Sequence, residues 1–375
     1  MENKAALKDI AKLFLKLGII GFGGPAAHIA MMQQEVVVKR KWLSEQHFLD
    51  LIGATNLIPG PNSTEMTMHI GHEKGGWKGL IIAGLCFILP AVLITGILAW
   101  LYKTYGQLPE VAPFVYGIKP AIIAIILAAI FPLAKKSFKT IELTLIGMVV
   151  LIGSLFGLYE IYLMFGAGFL ALFLAYIRRN NSVTGFVPLS FLTLSPIPFL
   201  SATQTQLFWI FLKIGSILYG SGYVLFAFLD TELVATGLLT RQQLIDAIAV
   251  GQFTPGPVFS SVTFIGYQID GLQGAIVATI GIFLPSFAFV ALLNPLVKKM
   301  RNSKLFSSFL DAVNVASVAI IISVCIAMGT ETITDWKTIL IAVLSIVLLF
   351  NYKKLNSAFV VLGGSLLGYL FHFIP

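Results

Sequence analysis

Ile58-Pro59-Gly60-Pro61-Asn62-Ser63-Thr64-Glu65 and Thr254-Pro255-Gly256-Pro257-Val258-Phe259-Ser260-Ser261 share a Pro-Gly-Pro turn, the second copy 196 positions after the first. Proline lacks an N–H and its ring collides with the preceding helical turn, so a helix stops at each copy and another begins just after it. Both copies lie in strongly apolar surroundings. A helix broken inside hydrocarbon strands N–H and C=O groups that must line a cavity or find protein partners. Two such breaks at matched places need a purpose.

The surroundings decide the class. The chain has 375 residues, is 57% hydrophobic and 11% charged, and has a mean hydropathy of +0.91, whereas soluble domains carry about a quarter charged residues. Apolar runs such as 80–101, 118–134 and 274–296 are long enough to span roughly 30 Å of hydrocarbon as helices. The expectation is an all-α integral membrane protein, multi-pass, in the inner (plasma) membrane of the cell. Cys86 and Cys325 lie singly in apolar runs and form no metal-ligand spacing. There is no phosphate loop and no His-Glu-x-x-His motif, so neither a cofactor nor an enzymatic reaction is expected. The net charge of +8 is loop lysine and arginine, which gives no reason to invoke nucleic acid. The first apolar stretch follows Lys4, Lys8, Lys12 and Lys16 without a small-residue cleavage site, and is expected to belong to the mature protein.

Shifting the sequence by 197 lays Phe14-Leu15-Lys16-Leu17-Gly18 on Phe211-Leu212-Lys213-Ile214-Gly215, and Glu35 on Glu232. With a one-residue gap, Leu43-Ser44 pairs with Leu239-Thr240, Asp50 with Asp246 and Thr67 with Thr263; after a second gap, Phe87-Ile88-Leu89-Pro90 falls on Ile282-Phe283-Leu284-Pro285. Generic apolar similarity does not reproduce Lys, Asp, Gly and Pro in order, so the chain reads as a duplication. The expected units are residues 1–178 and 207–375, joined by a linker at 179–206 containing Pro188, Pro196 and Pro198.

Residues 46–58 and 62–72 are each too short to cross and predict a re-entrant helical hairpin. Five full crossings remain in the first unit: 8–31, 78–101, 113–134, 141–157 and 160–177. An odd number inverts the second unit, giving two inverted-topology repeats, each of about five transmembrane helices plus a re-entrant hairpin. Positive charge agrees: one face collects sixteen lysines and arginines, and the other holds Lys4, Lys8, Lys12, Lys103, Arg241 and Lys337. Treating each hairpin as one crossing would split them eleven against eleven. The discordant residues are Lys4, Lys8 and Lys12, which this topology puts on the lysine-poor face.

The arms that begin after Pro61 and Pro257 point free N–H groups at the bilayer centre, a setting suited to an anion. Gly60, Asn62, Ser63 and Thr64 at the first turn and Gly256, Ser260 and Ser261 at the second are therefore candidate substrate contacts. The glycine clusters Gly23-Gly24 and Gly220-Ser221-Gly222 kink a helix or admit a close backbone, and read as a substrate-facing wall or as simple packing. His28 is a donor to an oxyanion or a satisfied packing residue. Lys119, followed by Pro120 and an apolar run, is the favoured cation for the substrate. Lys16 and Lys213 occupy equivalent places and either gate or snorkel; Asp50 and Asp246 carry protons or accept structural hydrogen bonds. Glu65, matched by Ser261, exchanges a proton or pairs with a lysine.

These motifs resemble the chromate ion transporters, in the long form with two homologous membrane halves. The resemblance rests on Phe22-Gly23-Gly24-Pro25 with His28, Trp42-Leu43, the first Pro-Gly-Pro, Gly75-Gly76 and Phe87-Ile88-Leu89-Pro90. In the second half it rests on Gly220-Ser221-Gly222-Tyr223, Asp246-Ala247-Ile248-Ala249, Thr254-Pro255-Gly256-Pro257 and Gly281-Ile282-Phe283-Leu284-Pro285-Ser286. It covers essentially the whole chain. It departs at Ser221, where the family often has glycine, and at Asn62-Ser63-Thr64-Glu65-Met66. The resemblance implies export of chromate, a tetrahedral dianion, by a secondary transporter working by alternating access. Partners would be chromate or a related oxyanion and the bilayer, and a homodimer is compatible with this reading. Transport of sulfate or another anion, and an anion channel, stand as alternatives.

Overall fold

The computed structural model describes residues 2–22, 24–106, 108, 112–177, 200–219, 222–301, 304–352 and 355–373. Among these residues the regular elements are all helical. In the first half they are α1 (Glu2–Ile20), α2 (Gly24–Gln33), α3 (Glu45–Thr55), α4 (Asn62–Tyr105), α5 (Ala112–Ser137), α6 (Ile141–Leu155) and α7 (Glu160–Ile177). In the second they are α8 (Ala202–Ile217), α9 (Val224–Leu229), α10 (Arg241–Phe253), α11 (Ser261–Arg301), α12 (Lys304–Thr332), α13 (Trp336–Asn351) and α14 (Ser357–His372). π-Helical turns follow α2 at Gln34–Lys39 and α9 at Asp230–Val234, again at matched positions.

The helices that enter the Pro-Gly-Pro turns start on repeated chemistry. Ser44 caps α3 by accepting from the His47 N–H, and Thr240 caps α10 in a reciprocal box with Gln243. α3 ends at Thr55, three residues short of the expected arm, because the chain before Pro59 turns through Asn56 and Leu57. Both following helices are bent back on themselves. In α4 the break falls at Gly75 (φ −139°, ψ 17°) and Gly76 (φ 60°, ψ −152°); in α11 it falls at Asp270 (φ −136°, ψ 32°) and Gly271 (φ 59°, ψ −148°). The second residue of each pair sits in a backbone region that is essentially glycine-only. The arms on either side then touch backbone to backbone: a Cβ on Gly71 would strike the Gly79 carbonyl, and one on Gly266 the Gly274 carbonyl. Each of α4 and α11 is thus a short arm, 62–74 or 261–269, folded against a long one, 77–105 or 272–301.

One expected crossing is not there. A straight helix over 8–31, continued to 35, would hold residues 16 and 35 about 28 Å apart. Instead Lys16 Nζ lies 3.1 Å from Glu35 Oε1, and the equivalent Lys213 Nζ lies 2.6 Å from Glu232 Oε2. The chain reverses between α1 and α2, where Gly24 takes φ +75°. α1 starts beside Gly75, whose Cβ would meet Ile10 and Leu7, and Trp42, beyond α2, stacks under Lys74 at that same end. The start of α1 therefore shares a face with the 40–44 loop, which removes the discordance of Lys8 and Lys12. The glycines turn the helix round rather than merely bending it.

The long arms of α4 and α11 run antiparallel to one another. Gly84 packs on Phe287, while farther along Gly96 approaches Thr263, whose hydroxyl bonds Thr279 at 2.7 Å. α5 and α12 are likewise antiparallel, tied by Tyr116 to Asp335 at one end and by Lys139 to Asp311, 2.8 Å, at the other. α7 packs on α12 and α14 on α5, so the closing helices of each half lie against the central helix of the other. Around this core, Ile81, Leu85, Leu89, Leu93 and Ile97 form an exposed stripe on α4, and Leu272, Ile276, Ile280 and Leu284 form its counterpart on α11. Side chains four apart share a helix face, so these are continuous apolar surfaces of the kind that face lipid. Asn62–Tyr105, Ala112–Ser137, Glu160–Ile177, Val258–Leu292 and Phe306–Thr332 are long and apolar enough to cross a membrane. The protein is an all-α, multi-pass membrane protein.

Candidate functional site: the crossed Pro-Gly-Pro turns

In a Pro-Gly-Pro turn glycine holds the only backbone donor, and a buried donor must be used. Gly60 N–H donates to Leu218 O at 2.9 Å, and Gly256 N–H donates to Gly21 O at 2.7 Å. Gly21 and Leu218 are equivalent under the 197-residue shift, and each lies just beyond the last turn of a broken helix, α1 or α8. Each turn is therefore held by the carbonyl that the other half's broken helix leaves free. The two hydrogen bonds are reciprocal, so the turns are related by a local pseudo-two-fold axis. Both glycines are buried and hold positive φ, +135° at Gly60 and +89° at Gly256.

The side chains around the turns break that symmetry. A Cβ on Gly60 would collide with Glu65 Oε1 and come 2.6 Å from Ser286 Oγ. On Gly256 it would come 2.8 Å from the Ala91 methyl. Glu65 aligns with Ser261, and Ser286 with Ala91. An acid and a hydroxyl thus line the first turn, where a hydroxyl and a methyl serve the second. Glu65 is 0% exposed and both its carboxylate oxygens lack hydrogen-bond partners. Thr64 Oγ1, Ser261 Oγ, Ser286 Oγ and both ring nitrogens of His69 are buried and unpartnered as well. Buried polar atoms are nearly always satisfied, so a concentration of orphans marks a place that holds something else.

Of the residues expected from sequence, Gly60, Ser63, Thr64, Glu65, Gly256, Ser260 and Ser261 gather at the turns, all buried. Thr95 on the long arm of α4 donates to Ser260 Oγ at 3.4 Å. His28 joins the second turn, its Nε2 2.8 Å from the same Gly21 O that Gly256 uses and its ring edge-on to Phe87. Gly222 packs on Val258 and Phe259. Asn62 does not point inward: it is half-buried and donates to Asn56 Oδ1 at 2.9 Å. Gly23, Gly220 and Ser221 lie outside the described residues.

Lys119 is on α5. It lies within electrostatic reach of Asp246 on α10, whose carboxylate accepts from Tyr102 Oη at 2.5 Å and from Gln242 Nε2 at 3.1 Å. Asp50 repeats part of this arrangement, accepting from Gln46 at 3.4 Å. Lys16 and Lys213 neither face the turns nor stand free: each is paired with the glutamate of its own half, Glu35 also accepting from Lys39 at 3.0 Å and Glu232 from Tyr159. Sequence reasoning did not single out Ser286, His69, Thr95 or Tyr102. Only Ser286 left a trace, as the end of the Phe-Leu-Pro-Ser motif.

Two stretches of the sequence, residues 8–172 and residues 205–369, match one protein family, described as Chromate transporter. The chain belongs to the chromate transporter family. It is 31% identical to the chromate transport protein of Cupriavidus metallidurans, with 96% of this chain and 92% of that protein covered. It is 30% identical to the probable chromate transport protein of Synechococcus elongatus (98% and 96% covered) and 29% identical to the chromate transport protein of Pseudomonas aeruginosa (95% and 90% covered). No solved structure matches this family member. Each of the two matched stretches contains one Pro-Gly-Pro turn.

Proposed function

We propose that this protein is a secondary transporter that carries chromate, a tetrahedral oxyanion, out of the cell across the inner membrane by alternating access. The observation that carries the reading is the pair of reciprocal hydrogen bonds that seat each Pro-Gly-Pro turn on the end of the other half's broken helix. The α4 short arm begins there with no side-chain cap. Unfilled helix N-termini, flanked by Ser63, Thr64, Ser260 and Ser261, offer an anion several donors at once. The antiparallel course of equivalent helices supports two inverted repeats, 1–178 and 207–375, joined through 179–206. Such repeats exchange conformations by rocking about a fixed central site. The face bearing Lys41, Lys74 and Lys139 would be cytoplasmic by the positive-inside preference. On each side of the centre a Lys–Glu pair, Lys16–Glu35 or Lys213–Glu232, ties the broken helix to the π-helical turn that follows it and would hold one entrance shut. With the interior negative, the membrane potential alone favours exit of a dianion.

The test is chromate efflux from preloaded cells or proteoliposomes, with sulfate as competitor. Gly256→Ala should abolish saturable efflux. Efflux that persists at wild-type rate in this variant, or that never saturates, overturns the central site. Sulfate that competes at equal concentration moves the substrate assignment from chromate to oxyanions at large.

A further inference from the structure

We infer that Glu65 and Ser286 form a single proton-binding site at the first Pro-Gly-Pro turn, and that the oxyanion binds only when Glu65 carries its proton. The inference rests on the oxyanion reading above. Three observations carry it. Glu65 is wholly buried, is aimed at the turn through its contact with Gly60, and is paired with no lysine or arginine among the described residues. Its neighbour across the interface, Ser286 Oγ, is equally buried, lies 2.6 Å from where a Gly60 Cβ would lie, and faces the Glu65 carboxyl with no other side-chain partner among the described residues. And the feature is not duplicated: the equivalents are Ser261 and Ala91, so an acid stands at this position in the first half and a hydroxyl in the second.

Among the described residues the surrounding elements supply no charged partner for Glu65. The titratable groups near the carboxyl are Tyr219, just beyond α8, and His69 one turn along the same arm; His28 on α2 serves the other turn through Gly21. α11 contributes Ser286, a neutral hydroxyl. An ionised carboxylate in this position would repel a dianion entering the same turn, whereas a carboxylic acid presents an O–H donor to it. Proton and anion therefore bind with positive linkage, each raising the affinity of the other. The second turn, built on Ser261 and Ala91, has no such switch, so the requirement is for one proton per anion.

The experiment measures chromate affinity of the purified full-length protein in lipid nanodiscs between pH 5.5 and 8.5, for wild type and Glu65→Gln. Chromate's own titration is common to both proteins and cancels in the ratio of their dissociation constants. Expected is a ratio near one at the acid end that grows by about tenfold per pH unit once Glu65 ionises, because one proton is linked to binding. Glu65→Asp should restore the pH dependence. A ratio constant across the range overturns the inference. If Glu65→Gln fails to fold, Ser286→Ala decides: removing the hydroxyl must shift the pH at which wild-type affinity begins to fall, and an unchanged onset overturns the inference. Failure of the oxyanion reading looks different, since then wild type binds no chromate at any pH.

Discussion

Replacing Gly256 by alanine separates two costs that the crossed-turn geometry predicts. Gly256 sits at φ +89°, where an L-residue is strained by roughly 1–2 kcal/mol. Its new methyl would also stand 2.8 Å from the Ala91 methyl, a contact fixed by the long arm of α4, and overpacking of this kind costs about 1–3 kcal/mol. Alanine keeps the N–H that bonds Gly21 O, so hydrogen-bond loss contributes nothing. The expected total is about 2–5 kcal/mol. Gly237 is the control: its φ is +76° and nothing lies within 4 Å of its Cβ position, so Gly237→Ala meets the strain alone. Equilibrium unfolding in mixed micelles gives both values. Adding Ala91→Gly to Gly256→Ala should recover about 1–3 kcal/mol as a coupling energy, after correction for the cost of Ala91→Gly alone. A coupling below about 0.5 kcal/mol would mean that the second turn does not rest on α4 and that the crossed arrangement is wrong.

Other perturbations probe other joints. Lys213→Met leaves the largely buried Glu232 with Tyr159 as its remaining hydrogen-bond donor, whereas Lys16→Met leaves Glu35 with Lys39 and Arg40. Because Lys213 is 42% exposed, the first should cost about 1–2 kcal/mol and the second under about 1 kcal/mol, and equal losses in unfolding would refute the difference. In a variant lacking Cys86 and Cys325, Lys8→Cys and Lys41→Cys should react with an impermeant maleimide from one side of the membrane and Lys103→Cys from the other. Opposite-side labelling of the first two would reinstate a full crossing between them. Tyr102→Phe removes a 2.5 Å bond to Asp246 and should slow transport, while Tyr102→Phe with Asp246→Asn should cost no more than the single change; strictly additive losses would show that the two act independently.

The sequence disclosed what repeats locally. Two Pro-Gly-Pro turns, the Ser44 and Thr240 caps before them, and the alignment of Lys16 with Lys213 and of Glu35 with Glu232 were all legible, because each is a run of residues compared with another run. Contacts between the halves were not. Gly60 with Leu218 and Glu65 with Ser286 join residues from different halves of the chain, and docking alone decides which carbonyl or hydroxyl arrives. Yet the alignment of both lysines and both glutamates already implied one geometry in both halves. Reading Lys16 and Lys213 as gating or snorkelling residues in isolation missed the paired acids at the same offset.

The largest misreading was also flagged by charge. Residues 8–31 have the length and apolarity of a crossing, and glycine clusters occur in straight spans, so hydropathy favoured a single helix through Gly21–Gly24. The cost was three lysines on the wrong face, a local violation that the re-entrant course of α1 and α2 removes for Lys8 and Lys12. Losing that crossing changes the parity argument: four helices, the long arm of α4 and α5, α6 and α7, now separate the start of the first half from Ile177, and an even number by itself leaves the halves parallel. Yet the long arms of α4 and α11 are antiparallel. Both facts hold together because Ile177 and Ala202 end on opposite faces. α7 runs antiparallel to α12, with Gly168 on Phe309 and Ser317 reaching Met164 Sδ at 3.6 Å, so Ile177 ends at the face of Lys304. Gln204, at the start of α8, bonds Asp270 at 2.9 Å and Gln273 at 2.6 Å at the opposite face, beside Lys103. The antiparallel order of the long arms of α4 and α11 therefore does not rest on an odd count of crossings within the first half.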